Sequence, residues 1–485
     1  MRDDKIGRAV YADQITGEFM TNMTPSDISG LISRARAAME EFAGASQARL
    51  DEAVTALAWS LYKPETAKAL AEQAVEITGL GNVTSKITKN QRKTFGTLRD
   101  LLRVKSTGII EELPEKGLVK YAKPVGVVAA VSPSTNPSAT PVNKAMMAIK
   151  GGNAVIIAPS PLAWPVTNAT VEAMRAELSK IGAPEDLVQI LSQPVTREDT
   201  TRLMEAADLV IVTGSQNNVR RAYSSGKPAI GVGAGNVPVI IDTTADLDDA
   251  AEKICASKIF DNSTSCSSEN SLVIPDEIYD DAIAALKRAG GYMASSDEGK
   301  RIVSLLWQDG KLNRHIIAKD ASVLAEIFEL GDDAGSAKFF MVEETGIGDD
   351  YPLSDEKLSL VLTIYRASDF ADAKRIGAEI LEHLGKGHSI GIHTRNMDHA
   401  RELAEDIDVV RVLVNQAHTF GNGGGYNNGL PFTLSMGCGT WQGNSITDNL
   451  NYTCFLNITH LVTTIPEDKP AEEELFGGHW EKYGK

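Results

Sequence analysis

Cysteine is scarce in this chain, four residues in 485. That excludes a disulfide scaffold and fits a reducing, cytoplasmic setting. Aromatic residues are also few, at 6%. No apolar run approaches the roughly 18 residues that suggest a membrane span. The longest candidate runs only from Pro124 to Val131. Basic charge is in deficit, with 48 Lys and Arg against 65 Asp and Glu, a net charge of −17. Nucleic-acid binders carry a basic face, so that class of partner is disfavoured. Anionic small ligands are not, because a local site can be positive or rich in backbone N–H groups. The polar start, Met1-Arg2-Asp3-Asp4-Lys5, has no signal-peptide core. What remains is globular: 42% hydrophobic, 23% charged, and long enough for two or three domains.

Residues 25 to 105 read as helices. Leu31, Ala35, Ala38 and Phe42 recur at helical spacing, as do Val54, Leu57 and Leu61, and Ser26 lies where an N-cap is expected. Residues 107–123 change to an extended hairpin around Pro114. From 124 the pattern alternates. Apolar runs at 127–131, 153–158, 187–191 and 209–212 read as strands, with helices between them at 139–149, 167–181 and 196–206. This predicts βαβ units and a parallel, doubly wound sheet, buried on both faces. A second α/β block carries expected strands at 237–241, 272–275, 360–365, 389–392 and 410–414 and helices at 279–289 and 370–384. A Gly-rich stretch from Gly421 to Gly443 follows, and the acidic end at Glu467-Asp468 and Glu472-Glu473-Glu474 reads as a solvated extension.

Several segments carry chemistry. Cys266 sits in the small, polar run Phe260-Asp261-Asn262-Ser263-Thr264-Ser265-Cys266, just before a buried strand. A nucleophilic thiol needs access and little apolar crowding, which such a loop offers. Val131-Ser132-Pro133-Ser134-Thr135-Asn136-Pro137 ends another strand, where an Asn amide can hold an oxyanion. Thr213-Gly214-Ser215 ends a third strand and opens a helix, a place for phosphate to meet backbone N–H groups, although the three-glycine fingerprint is missing. The alternate glycines of Gly231-Val232-Gly233-Ala234-Gly235 imply close backbone approach to a ligand or another segment, or a structural bend. His388, in Gly387-His388-Ser389, is a candidate for proton transfer near a thiolate. His383 and His393 give no convincing metal spacing and there is no C-x-x-C, so no metal site is expected.

Taken in order, these segments resemble the aldehyde dehydrogenase superfamily, in its acylating, coenzyme A-dependent branch. The resemblance covers about residues 25 to 460. It also rests on Ala222 through Asn236, Ser354-Asp355-Glu356-Lys357-Leu358-Ser359, and Gly437-Cys438-Gly439-Thr440-Trp441-Gln442-Gly443-Asn444-Ser445. Hydrolytic members keep a general-base Glu in a Glu-Leu-Gly-Gly-type motif. Here the matching run is Val232-Gly233-Ala234-Gly235, so that base is missing. The hydrolytic family's ribose-holding lysine is missing too, because the second strand ends Ile157-Ala158-Pro159-Ser160. Both NAD and NADP stay open, and Ser160 would tolerate a 2′-phosphate. The segments Gln416 through Thr433 and Leu456-Asn457-Ile458-Thr459-His460-Leu461 look most like acylating sulfoacetaldehyde dehydrogenases, with acylating succinate-semialdehyde dehydrogenases as near neighbours.

The resemblance implies an α/β fold of two Rossmann-type parallel-sheet domains with an oligomerisation hairpin and arm. Residues 1–106 would be the helical N-terminal part of the cofactor domain and 107–123 the oligomerisation hairpin. Residues 124–235 would bind the dinucleotide, 236–435 would hold the catalytic cysteine, and 436–485 would return to the cofactor domain as an arm and tail. Cys266 would be the nucleophile, Asn136 (or Thr135) the oxyanion donor, and His388 an aid to coenzyme A. Ser132, Pro133, Ser160, Thr213, Gly214, Ser215, Gly233 and Glu356 would contact NAD or NADP. The expected reaction takes an aldehyde, coenzyme A and oxidised cofactor to an acyl-coenzyme A through a Cys266 thioester. Sulfoacetaldehyde is the first expected aldehyde, with succinate semialdehyde and acetaldehyde as alternatives and hydrolysis to a free acid as a second reading. A cytoplasmic homodimer or homotetramer is expected, without nucleic acid, membrane or metal.

Overall fold

The computed structural model describes residues 26–485. The polar start, expected to lack a targeting core, lies outside them. Four helices come first: Ile28–Glu41, Gln47–Tyr62, Pro64–Thr78 and Val83–Leu102. The first buries Leu31, Ala35 and Ala38, as their spacing predicts. Its N-cap is Asp27, which accepts from Gly30 N; Ser26 instead meets the Ser192 hydroxyl at 3.1 Å. A carboxylate caps as well as a hydroxyl does, so position decided.

The first sheet has five parallel strands in the order Val188–Ile190, Ala154–Pro159, Val127–Ser132, Leu209–Thr213, Ala229–Val232. Strands Val127–Ser132 and Ala154–Pro159 are buried along their whole length, which explains their unbroken apolar runs. The direction of winding reverses between Val127–Ser132 and Leu209–Thr213. That is the topological switch point, where α/β sheets bind ligands beyond the carboxyl ends of their strands. The fifth strand, Ala229–Val232, falls where the alternate glycines left ligand approach and a bend open.

The second sheet has seven parallel strands: Gly291–Met293, Phe339–Glu343, Val361–Ala367, Glu269–Pro275, Val237–Ile241, Ile390–His393 and Val412–Val414. Two of these, Gly291–Met293 and Phe339–Glu343, escaped the sequence reading. Cys266 lies just before the central strand Glu269–Pro275. It therefore stands at the amino edge of the second sheet, facing the carboxyl edge of the first.

A third, antiparallel sheet joins Gly108–Leu113, Leu118–Pro124 and Leu456–Val462. The expected hairpin and C-terminal arm thus pair with each other. They leave Ile109, Ile458, Leu461 and Val462 exposed. The acidic end, read as a solvated extension, forms the helix Glu472–Tyr483 with no buried residue. Its three first-turn glutamates complement the helix dipole. Among the described residues, no helix is long and apolar enough to cross a membrane.

Candidate active site

A cleft of about 350 Å³ lies between the two sheets. Pro133, Thr135 and Asn136 line it from one strand end, Thr213, Gly214 and Ser215 from the neighbouring one, and Val232 and Gly233 from the edge strand. Cys266 and Glu356 enter from the opposite side. Six of the eight sequence-predicted cofactor contacts (Pro133, Thr213, Gly214, Ser215, Gly233 and Glu356) therefore share one space with the predicted nucleophile and oxyanion donors.

The approach to Cys266 is unusual. Asp261, Asn262 and Ser263 take φ values of 50°, 53° and 60° in succession. Left-handed backbone costs a non-glycine residue roughly 1 kcal/mol or more, so the run must be held by its neighbours. Asp261 is paired with Lys86 and Lys89, accepts from Asn82 N at 3.1 Å and from Thr264 Oγ1 at 2.8 Å. Asn262 Nδ2 donates to Ala318 O and Asp320 Oδ1. Ser263 Oγ donates to Lys258 O at 2.6 Å. Gly235 completes the support: a Cβ there would come within 2.0 Å of Cys266 O, so only glycine fits behind the nucleophile.

All four cysteines are free. Cys266 is half-buried, while Cys255 and Cys438 are buried. Burial first, and then the Glu356 carboxyl, pushes the Cys266 thiol up to about 12. The polar loop thus gives access without a preformed thiolate. Burial also raises the Glu356 carboxyl to about 8, so it is mostly protonated at neutral pH.

The sequence reading missed one wall. Lys89, Arg92 and Lys93 project into the cleft from the helix Val83–Leu102. Their spacing of three and four residues puts them on one face. Burial lowers Lys93 to about 7, with Arg92 and Lys89 adding to the effect. Lys89 Nζ donates to Asn136 Oδ1 at 2.8 Å. An ammonium has no acceptor, so the amide must present its oxygen to Lys89, and Asn136 Nδ2, with only a long 3.5 Å contact to Thr135 Oγ1, is left for another partner. The signal was available as Lys86, Lys89 and Lys93, but amphipathic reading searches for apolar stripes.

The switch-point edge fits a nicotinamide dinucleotide. A Cβ built on Gly214 would meet only Asn218 Nδ2, at 3.9 Å, so the strand end is bare and approachable. Ser132 Oγ is buried at the same edge without a partner. Ser160 follows the adjacent strand, its N–H donating to Ser132 O at 3.1 Å. Ser132 and Ser160 do not line the cleft that holds Cys266. Gly233 packs against Gln442, whose Nε2 donates to Ala234 O at 3.0 Å.

His388 departs from its expected place. It is fully buried and does not line the cleft. Nδ1 meets Ser389 Oγ at 2.8 Å, and that hydroxyl meets His418 Nε2 at 2.9 Å. Arg411 Nη2 donates to His388 O at 2.9 Å. Burial, with Arg411 and His418 nearby, holds the imidazole well below its usual range. It is neutral at physiological pH and weakly basic, with Nδ1 tied into a buried network and Nε2 buried without a partner.

The family model described as "Aldehyde dehydrogenase family" matches residues 11–300. A sulfoacetaldehyde dehydrogenase (acylating) of Cupriavidus necator is 49% identical, over 94% of this chain and 93% of that one. One of Bilophila wadsworthia is 43% identical, over 95% and 100%. The crystal structure of an acetylating aldehyde dehydrogenase from Geobacillus thermoglucosidasius superposes with a TM-score of 0.88 at 34% identity, covering 92% of this chain and 98% of that one. With this fold, and a cysteine opposite the switch point, the chain belongs to the aldehyde dehydrogenase family, among its coenzyme A-acylating members.

Proposed function

We propose that the chain oxidises an anionic aldehyde, sulfoacetaldehyde, to its coenzyme A thioester with NAD or NADP. The observation that carries this is Val232: it lines the cleft with Cys266 at the point where a hydrolytic enzyme keeps a carboxylate. Cys266 gives up its proton to solvent in the open cleft, and its sulfur bonds to the aldehyde carbon. The carbonyl electron pair moves to oxygen, where Asn136 Nδ2 and the Cys266 N–H receive it. The bound nicotinamide cofactor supplies a hydride acceptor. Glu356 orients it from the cleft's far side, and Thr213, Gly214 and Ser215 contact it at the strand end. The residue left on Cys266 is a thioester. The sulfur of coenzyme A then attacks its carbonyl, and the Cys266 thiolate departs.

Val232 cannot abstract a proton from water. Loss of a general base typically costs ~10²–10⁴-fold, enough to make transfer to a thiol the main exit. The names of the Cupriavidus and Bilophila relatives support the choice of aldehyde. The exposed apolar residues of the three-stranded sheet support a homodimer or homotetramer, and an unpaired nucleophilic thiol suits the cytoplasm. The test mixes enzyme, sulfoacetaldehyde and oxidised cofactor without coenzyme A. About one equivalent of reduced cofactor per site should appear, then a near halt, then steady turnover once coenzyme A is added. Sustained turnover to free sulfoacetate without it would refute the acylating reading.

A further inference from the structure

The helix Val83–Leu102 carries two guanidinium groups in closely related settings, and only one is paired. Arg99 lies over the rings of Tyr426 and Phe432, and its Nη2 meets Asp100 Oδ1 at 2.7 Å. Arg92, two turns earlier, lies over the same two rings at 5.1 and 5.7 Å and over Phe420 at 5.4 Å. Among the described residues, no carboxylate pairs with Arg92 or with its neighbour Lys93. Arg92 Nε is buried without a partner, and Nη2 has only a long contact, 3.4 Å, to Phe420 O. Lys93 Nζ is held by a single carbonyl, Gly423 O, at 2.7 Å. Lys89, the third cation of this wall, is already neutralised by Asp261.

Arg92 is half-buried and Lys93 buried, and an unpaired cation drawn even partly out of water is costly, a cost recovered when an anion with matching acceptors arrives. The aromatic cage fixes the guanidinium plane and makes it a preorganised fork. Arg92 and Lys93 face the same cleft as Cys266. We infer that Arg92, assisted by Lys93, binds the anionic head group of the aldehyde while its carbonyl lies at Cys266, and that this pair sets the preference for charged over neutral aldehydes. The inference rests on the anionic-aldehyde reading above and names the residues that would enforce it. A sulfonate suits the pair, since its three oxygens can accept from the Arg fork and an ammonium together. Lys93 gains a counter-charge in the complex, so head-group binding draws a proton onto it near neutral pH.

The test compares kcat/KM for sulfoacetaldehyde and propionaldehyde in wild type, Arg92→Met, Arg92→Lys and Lys93→Met. The sulfoacetaldehyde to propionaldehyde ratio should fall about 10- to 100-fold in Arg92→Met, mainly through KM, as expected for lost charge-assisted hydrogen bonds. Arg92→Lys should recover part of it, and Lys93→Met should lose less. Ethanesulfonate should compete with propionaldehyde in wild type, bind at least about tenfold more weakly to Arg92→Met, and bind to Arg92→Lys with an intermediate affinity, weaker than wild type. A purely structural role would lower both substrates together and leave the ratio in place, which would overturn the inference. So would ethanesulfonate inhibition that is equal in wild type and Arg92→Lys, a comparison that stands even where Arg92→Met does not fold. Failure of the anionic-aldehyde reading looks different: wild type itself would prefer propionaldehyde and ignore ethanesulfonate.

Discussion

Raising the pH should awaken Cys266 along a curve set by Glu356. Iodoacetamide reacts with thiolate, so its rate reports the ionised fraction. An ordinary cysteine near 8.5 is a few per cent ionised at pH 7. With its thiol pushed up to about 12, Cys266 is ionised on the order of one part in 10⁵ at that pH. The stronger nucleophilicity of a high-pKa thiolate recovers roughly 30-fold of this loss. Alkylation of the ligand-free enzyme at pH 7 should therefore run about a hundredfold slower than that of a free thiol. The sign is fixed because the thiol is raised: reactivity grows with pH, close to tenfold per unit above pH 7. Glu356 bends the curve. Its carboxyl, raised to about 8, is neutral below that pH and charged above it, where it opposes the thiolate. Wild type and Glu356→Gln should coincide at pH 7 and separate above pH 8, with the variant faster. Mass spectrometry of the peptide carrying Cys266, with Cys266→Ala as the control for half-buried Cys454, reads both curves. A plateau below pH 8, or two curves that coincide throughout, would refute the reasoning.

Two further expectations concern the cleft walls. Val232→Glu places a carboxylate beside the acyl-cysteine, so release of reduced cofactor without coenzyme A should change from a burst to slow turnover, rising ~10-fold or more; an unchanged burst in steady-state assays would count against the role given to position 232. Lys89→Met frees the Asn136 amide to flip, so kcat should fall about 10- to 100-fold with little change in KM. A loss confined to KM would instead place Lys89 in substrate binding.

The strands of the first sheet were legible because burial on both faces writes unbroken apolar runs, as in Val127–Ser132 and Ala154–Pro159. Ala229–Val232 was not, since Gly231 interrupts the run; a Cβ there would strike Val219 at 2.6 Å, so packing against a helix chose the glycine. Phe339–Glu343 has an apolar run too short to separate strand from buried helix by periodicity. At the site, Cys266, Asn136 and Thr213, which line the cleft, stood out by their chemistry at loops and strand ends, and Glu356 only through motif resemblance. The Lys89, Arg92 and Lys93 wall was not, because its inward face is charged and its counter-charge, Asp261, lies 172 residues beyond Lys89. His388 shows the converse: a motif named the residue, but only the fold reveals that burial strips it of basicity.

The left-handed run Asp261-Asn262-Ser263 has a consequence for how the enzyme matures. Its restraints come from Lys86 and Lys89 on the helix Val83–Leu102, from Ala318 and Asp320 far downstream, and from Lys258 just before it. None of the distant anchors exists until remote parts of the chain have docked. The posture of the nucleophile is thus earned last, as a certificate of completed assembly. A nascent or partly unfolded molecule holds its cysteine in a relaxed, solvent-washed loop, where it titrates as any thiol does. Only the finished molecule conceals it, so the rate at which Cys266 is alkylated at pH 7 measures the unfinished fraction of a preparation.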